Sequence, residues 1–96
     1  MSDELIAESL IGDEAERFKQ SDLGRCLLGM AEQEVKAAQE ALETVNPTDV
    51  AAIERLQNQA RLGRQFDAWL TELIHKGRNA LVLWKQQRQN QEEGET

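Results

Sequence analysis

The sequence predicts an all-α protein, an antiparallel helical hairpin with coiled-coil-like packing and one long C-terminal helix. Three observations predict this class. The 96 residues are rich in Ala, Glu, Gln, Leu, Lys and Arg, with one proline, no tyrosine and four aromatic side chains. This composition favours helix over strand. Apolar residues recur at helical spacing, and a single Asn-Pro turn separates two helical stretches.

The first element is a short N-terminal helical segment over residues 1–20. Ser2 is a suitable N-cap, and Gly12-Asp13 suggests a break followed by a second cap. Phe18 is its first large apolar anchor. Whether this segment packs on the rest of its own chain is left open by the pattern. Its other apolar residues at helical spacing are Leu5, Ile6, Leu10 and Ile11.

The first arm of the hairpin is predicted over about 22–45, within a hairpin region of residues 21–90. Pro47 ends this helix, and Thr48 or Asp49 can cap the next one. Short connections make antiparallel neighbours, so the second helix should fold back on the first. A narrow apolar stripe supports the arm: Leu23, Leu27, Met30, Ala31, Val35, Ala38, Ala41, Leu42 and Val45.

The second arm is predicted as one helix over about 49–90, roughly 60 Å long at ~1.5 Å per residue. Folding it back on the first arm places Ala60 opposite Ala38 and brings Glu34 near Arg61. Gly63 and Gly77 are the only glycines within this stretch. Because they lie near one face of the helix, they predict close approach of a neighbouring helix. The apolar residues that recur at three- and four-residue spacing along this helix are Ile53, Leu56, Ala60, Leu70, Ile74, Leu81 and Trp84.

Charge is divided unevenly along the chain, whose net charge is −7. Residues 1–49 carry twelve acidic and four basic side chains, whereas residues 50–91 carry three acidic and seven basic ones. The two parts should therefore attract each other. Three more acids follow in residues 92–96, and we expect residues 91–96 to form a disordered acidic tail.

The second half of the long helix carries more apolar surface than one partner helix can cover. We therefore predict self-association there, a two-fold dimer being favoured because closed symmetric pairs are the commonest oligomers. The alternative is that the N-terminal segment covers this surface within the chain. The predicted interaction surface consists of Phe66, Trp69, Leu70, Leu73, Gly77 and Trp84.

The sequence predicts no catalytic, cofactor-binding or metal-binding residues, so we expect a protein that is not an enzyme. His75 is the only histidine, and Cys26 is the only cysteine. We expect Cys26 to be a small buried apolar residue. The negative charge argues against nucleic acid as a partner, although Lys76, Arg78, Lys85 and Arg88 surround Trp84. No apolar run approaches the ~20 residues of a membrane span.

The chain resembles a group of short helical proteins encoded in tailed-bacteriophage and prophage genomes. The resemblance extends from Ala15 to Ala80, and three segments carry it: AERFKQSDLGRCLLGMAEQE, TVNPTD and FDAWLTELIHKGRNA. It implies a phage-encoded protein that acts in the cytoplasm of a bacterial host or in the virion. It implies no catalytic residues.

Two function classes follow. The first is a non-enzymatic helical interaction protein, homo-oligomeric, in phage assembly, packaging or virion structure, with phage or host proteins as partners. The second is an acidic inhibitor or adaptor that binds a host protein and presents carboxylates where a nucleic acid would lie. Recovery of the protein in purified particles favours the first class. Co-purification with a host nucleic-acid enzyme favours the second.

Overall fold

The computed structural model describes residues 2–94, and all three elements in that part of the chain are α-helices. They are α1 (Ser2–Gln20), α2 (Asp22–Thr44) and α3 (Val50–Gly94). The predicted all-α class, with a helical hairpin, a long C-terminal helix and an N-terminal helical segment, is confirmed.

Contacts within the chain divide it into two compact units. The hairpin unit consists of α2, the connection after it and the part of α3 up to Trp69. The terminal unit consists of α1 and the part of α3 from Leu70 onward. The long helix therefore contributes one of its halves to each unit.

The connection between α2 and α3 is stabilised by its own polar groups. The N–H and Oγ1 of Thr48 both donate to Asn46 Oδ1, at 3.0 and 2.8 Å. The Asp49 N–H donates to the Asn46 carbonyl oxygen at 2.9 Å. The Asp49 carboxylate then accepts a hydrogen bond from the Ala52 N–H at 3.1 Å. Asp49 is therefore the N-cap of α3, one of the two caps that the sequence allowed.

Small side chains form the core of the hairpin unit. Ala38 of α2 and Ala60 of α3 are both buried, with Ala38 at 0% exposure. A Cβ atom built on Gly63 would lie 2.6 Å from Val35 Cγ2 and 3.0 Å from the Ala31 carbonyl oxygen. The two helices thus approach closely at the positions where the sequence has alanine and glycine.

In the terminal unit, α1 packs on α3 within the same chain, which was the alternative to an intermolecular contact. A Cβ atom built on Gly77 would lie 2.8 Å from the Cα atom of Gly12 and 3.0 Å from the Glu8 carbonyl oxygen. The two backbones are therefore in contact at this point. Four buried apolar side chains complete this part of the core: Ala15, Leu70, Ile74 and Ala80.

The predicted break at Gly12-Asp13 is wrong, because α1 continues through both residues. Gly12 is buried, and its missing side chain makes room for α3. The same residue type that suggests a break in a sequence here permits helix packing.

The C-terminal helix extends further than expected. The sequence predicts disorder over 91–96, whereas the structure continues α3 through Gly94; Glu95 and Thr96 lie outside the described residues. Arg88 and Glu92 form an i,i+4 ion pair with 3.9 Å between Nε and Oε1. This pair and the high helix propensity of Gln and Glu favour the helical conformation.

Candidate functional site

The structure separates the predicted interaction residues into buried and accessible ones. Leu70 is 9% exposed and Gly77 is buried, both within the terminal unit. These two residues are therefore part of the chain's own core, which corrects their assignment to an intermolecular surface. The physical reason is that α1 covers this face of α3. Leu73 retains 37% of its surface.

Accessible apolar surface in the hairpin unit centres on two residues of α3. Trp69 is 55% exposed and Leu62 is 63% exposed. They are seven residues apart and therefore lie on nearly the same face of the helix. Phe66, another predicted interaction residue, is half-buried. We call Leu62 and Trp69 the α3 stripe; large aromatic side chains of this kind concentrate in the centres of protein contacts.

A second accessible apolar feature lies between α1 and α3 in the terminal unit. It is a cavity of about 250 Å³, open to solvent, which we call the α1–α3 groove. Trp84 of the predicted surface is half-buried here, whereas Leu10 is 56% exposed. Five of the six residues that line the groove are apolar: Leu5, Ile6, Ser9, Leu10, Leu81 and Trp84.

A polar pocket lies further along the same two helices. Arg78 pairs with Glu16, with 3.0 Å between Nη2 and Oε1. Lys19 Nζ donates to Thr71 Oγ1 at 3.4 Å, and His75 also lines the pocket. An acidic residue of α1 thus meets a basic residue of α3, as the charge distribution predicts. The pair is largely exposed, so it contributes little to the stability of the fold.

Three of the four basic residues around Trp84 have partners within the chain. Lys76 pairs with Glu72 at 3.2 Å, and Arg78 pairs with Glu16. The Arg88 guanidinium lies 5.3 Å from the centre of the Trp84 ring, in a cation–π contact. Such pairing reduces the positive charge that these side chains can offer to phosphate groups.

The single histidine and the single cysteine are not part of a metal site in the described chain. Within residues 2–94, no group of three or more His, Cys, Asp or Glu side chains is placed to hold a metal ion. Cys26 is exposed, which contradicts the expectation of burial; the buried residues of α2 are Gly24 and Ala38. Among the helices that the structure describes, none has the length and apolar character of a membrane span.

Leu62 and Leu10 are two of the accessible residues that the predicted interaction surface does not include. Leu62 lies seven residues before Trp69, so the helical repeat alone could have joined it to that tryptophan. Leu10 appears in the sequence only as part of an amphipathic segment. Its position beside Trp84 depends on how α1 aligns with α3, which the spacing of residues within either helix does not determine.

The comparisons with known proteins add no family to these observations. Scans against protein-family models, curated proteins and solved structures find no match to this chain.

Proposed function

We propose that this chain is a non-enzymatic helical interaction protein of a tailed bacteriophage, which self-associates and serves assembly, packaging or virion structure. The phage assignment depends on the resemblance of residues 15–80 to short helical phage and prophage proteins. The bacterial cytoplasm and the virion are the places where such a protein would act.

One observation supports the interaction role above all others. In the described part of the chain, five of the seven buried apolar residues are alanines. By contrast, thirteen large apolar side chains there are at least 37% exposed. Ten other large apolar side chains in residues 2–94 are half-buried, and only Leu70 and Ile74 are buried. Scattered exposed apolar residues are ordinary, but here most of the large apolar side chains keep contact with solvent. A protein with this distribution gains stability when another surface covers the large side chains.

The α3 stripe is the surface that we assign to a protein partner in the particle or the host. A tagged chain should recover that partner from infected cells, and mass spectrometry should identify it as a phage structural or assembly protein. Trp69→Glu should abolish this recovery, because binding would bury an unpaired charge. Gln57→Glu places the same charge on an exposed polar position of the same helix, about 120–140° around the helix axis from Leu62 and Trp69, and should leave recovery intact.

A second function is favoured by the exposed carboxylates of α2. All five acidic residues of this helix are exposed, against two basic residues. An acidic surface of this kind supports the alternative of an inhibitor or adaptor that occupies the nucleic-acid site of a host protein. Recovery of a host nucleic-acid enzyme, in an amount that falls as salt increases, would favour this alternative over a role in the particle.

A further inference from the structure

The α1–α3 groove lies between two helices of opposite charge. α1 carries six acidic and two basic side chains, whereas residues 70–94 of α3 carry three acidic and four basic ones, and the four basic ones all precede Glu92. Within the chain, one acidic residue of α1 and one basic residue of α3 already form the Glu16–Arg78 ion pair. Four exposed charged residues lie within about one helical turn of residues that line the apolar groove: Glu4 and Glu8 of α1, and Lys85 and Arg88 of α3.

We propose that a second copy of this chain occupies the groove, forming a two-fold dimer in which α1 of each copy packs on α3 of its partner. This inference depends on the self-association in the proposed function and identifies the surface responsible. In a two-fold dimer both copies use the same patch, so that patch must be complementary to itself. A patch with an acidic helix beside a basic helix meets this requirement when the two copies cross.

The charges also select among the possible two-fold arrangements. If α1 met α1 of the partner, the two most acidic helices of the terminal units would face each other. If α3 met α3, the basic halves would do so. Only the crossed arrangement pairs acidic with basic helices in both contacts, and it brings the two grooves together. Leu10, Leu81 and Trp84 of each copy would then be covered by the same residues of the other.

Substitution in the groove gives the first test. Leu10 is more than half exposed, so Leu10→Glu should leave the helical content unchanged by circular dichroism. In the dimer it would bury a charge, and we expect at least a tenfold increase in the dimer Kd by sedimentation equilibrium. Ala7→Glu adds the same charge to an exposed position of α1 and should leave the Kd within about twofold of the wild-type value.

Charge reversal tests the crossed arrangement itself. One variant carries Glu4→Lys and Glu8→Lys in α1, and a second carries Lys85→Glu and Arg88→Glu in α3. Each variant alone would place like charges together in both contacts, so its dimer should be about tenfold weaker. Mixing the two variants should restore a heterodimer, because both contacts then join opposite charges. A chain with all four changes should also dimerise, which controls for effects within one chain.

The outcomes separate this inference from the proposed function. Dimers that are weakened by Leu10→Glu but not by Trp69→Glu, and restored by mixing the charge variants, would support the groove. A dimer that is lost with Trp69→Glu and retained with Leu10→Glu would overturn the groove and leave self-association standing. A monomeric wild-type chain would overturn both. Reversed-charge variants that fail to recover on mixing would exclude the crossed arrangement.

Discussion

At the scale of single residues, the absence of a side chain determines where the helices approach each other. The atoms that a methyl group added at each glycine would meet differ from one glycine to the next. At Gly77 it would meet the backbone of Gly12, whereas at Gly63 its nearest neighbour is the end of the Val35 side chain. At Gly29 there is no atom within 4 Å. The same substitution should therefore have different effects at the three positions.

We predict that Gly77→Ala lowers the free energy of unfolding by about 1–2 kcal/mol. The new methyl group would overlap the α1 backbone at Gly12, which cannot move aside as a flexible side chain can. Gly29→Ala is the matched control. It should raise the free energy of unfolding by about 0.5–1 kcal/mol, since alanine favours helix and the site has space. Urea denaturation followed by circular dichroism measures both. Equal stabilisation by the two substitutions would mean that α1 and α3 are not in backbone contact.

At the scale of elements, the turn and the small residues on either side of it define the hairpin. The side chains of Asn46 and Asp49 accept hydrogen bonds from backbone N–H groups at the connection between α2 and α3. Ala38 and Ala60 are buried where these two helices pack together. The charged pairing expected from the sequence is less important. Glu34 accepts a hydrogen bond from Gln59 at 3.2 Å, and Arg61 donates to Asn58 at 2.8 Å. Packing of small residues therefore determines the alignment here more than ion pairs do.

We predict that a chain with Ala38→Cys and Ala60→Cys, and with Cys26→Ser, forms a disulfide within one molecule under mild oxidation. Both positions are buried in the hairpin unit, on helices that approach closely. The control replaces Ala37 instead of Ala38; Ala37 is the adjacent, exposed position and points about 100° away around the helix. Non-reducing electrophoresis and mass spectrometry should find the link in the first variant only. Equal linkage in both would contradict the alignment of α2 with α3.

Local patterns predicted the elements well but not all of the residues at their contacts. Pro47 and the capping residues after it determine the turn, and the proline-free stretch that follows predicts a single helix. In the sequence Gly12 suggests a break, because its packing partner, Gly77, is distant in sequence and the contact exists only once α1 packs on α3. Cysteine is often buried, which predicts a buried Cys26, whereas the position of this residue around the α2 helix leaves its side chain exposed. Contacts between distant segments depend on how two helices align with each other, and the amino-acid composition does not determine that alignment.

At the scale of the whole molecule, we propose that the chain acts through its exposed apolar surface. Each unit carries such residues, Leu62 and Trp69 in one and Leu10 and Leu81 in the other. Cores made largely of alanine and glycine bury little apolar area, and small domains of this kind gain stability by association. We therefore expect melting temperature to rise with protein concentration, as association coupled to folding requires.

The mass of the wild-type protein in solution shows whether the chain self-associates. Sedimentation equilibrium between about 1 and 100 µM covers the range in which ordinary protein contacts form. We predict a mass that approaches twice the 10.9 kDa of one chain as concentration increases. A mass of one chain throughout that range would contradict it.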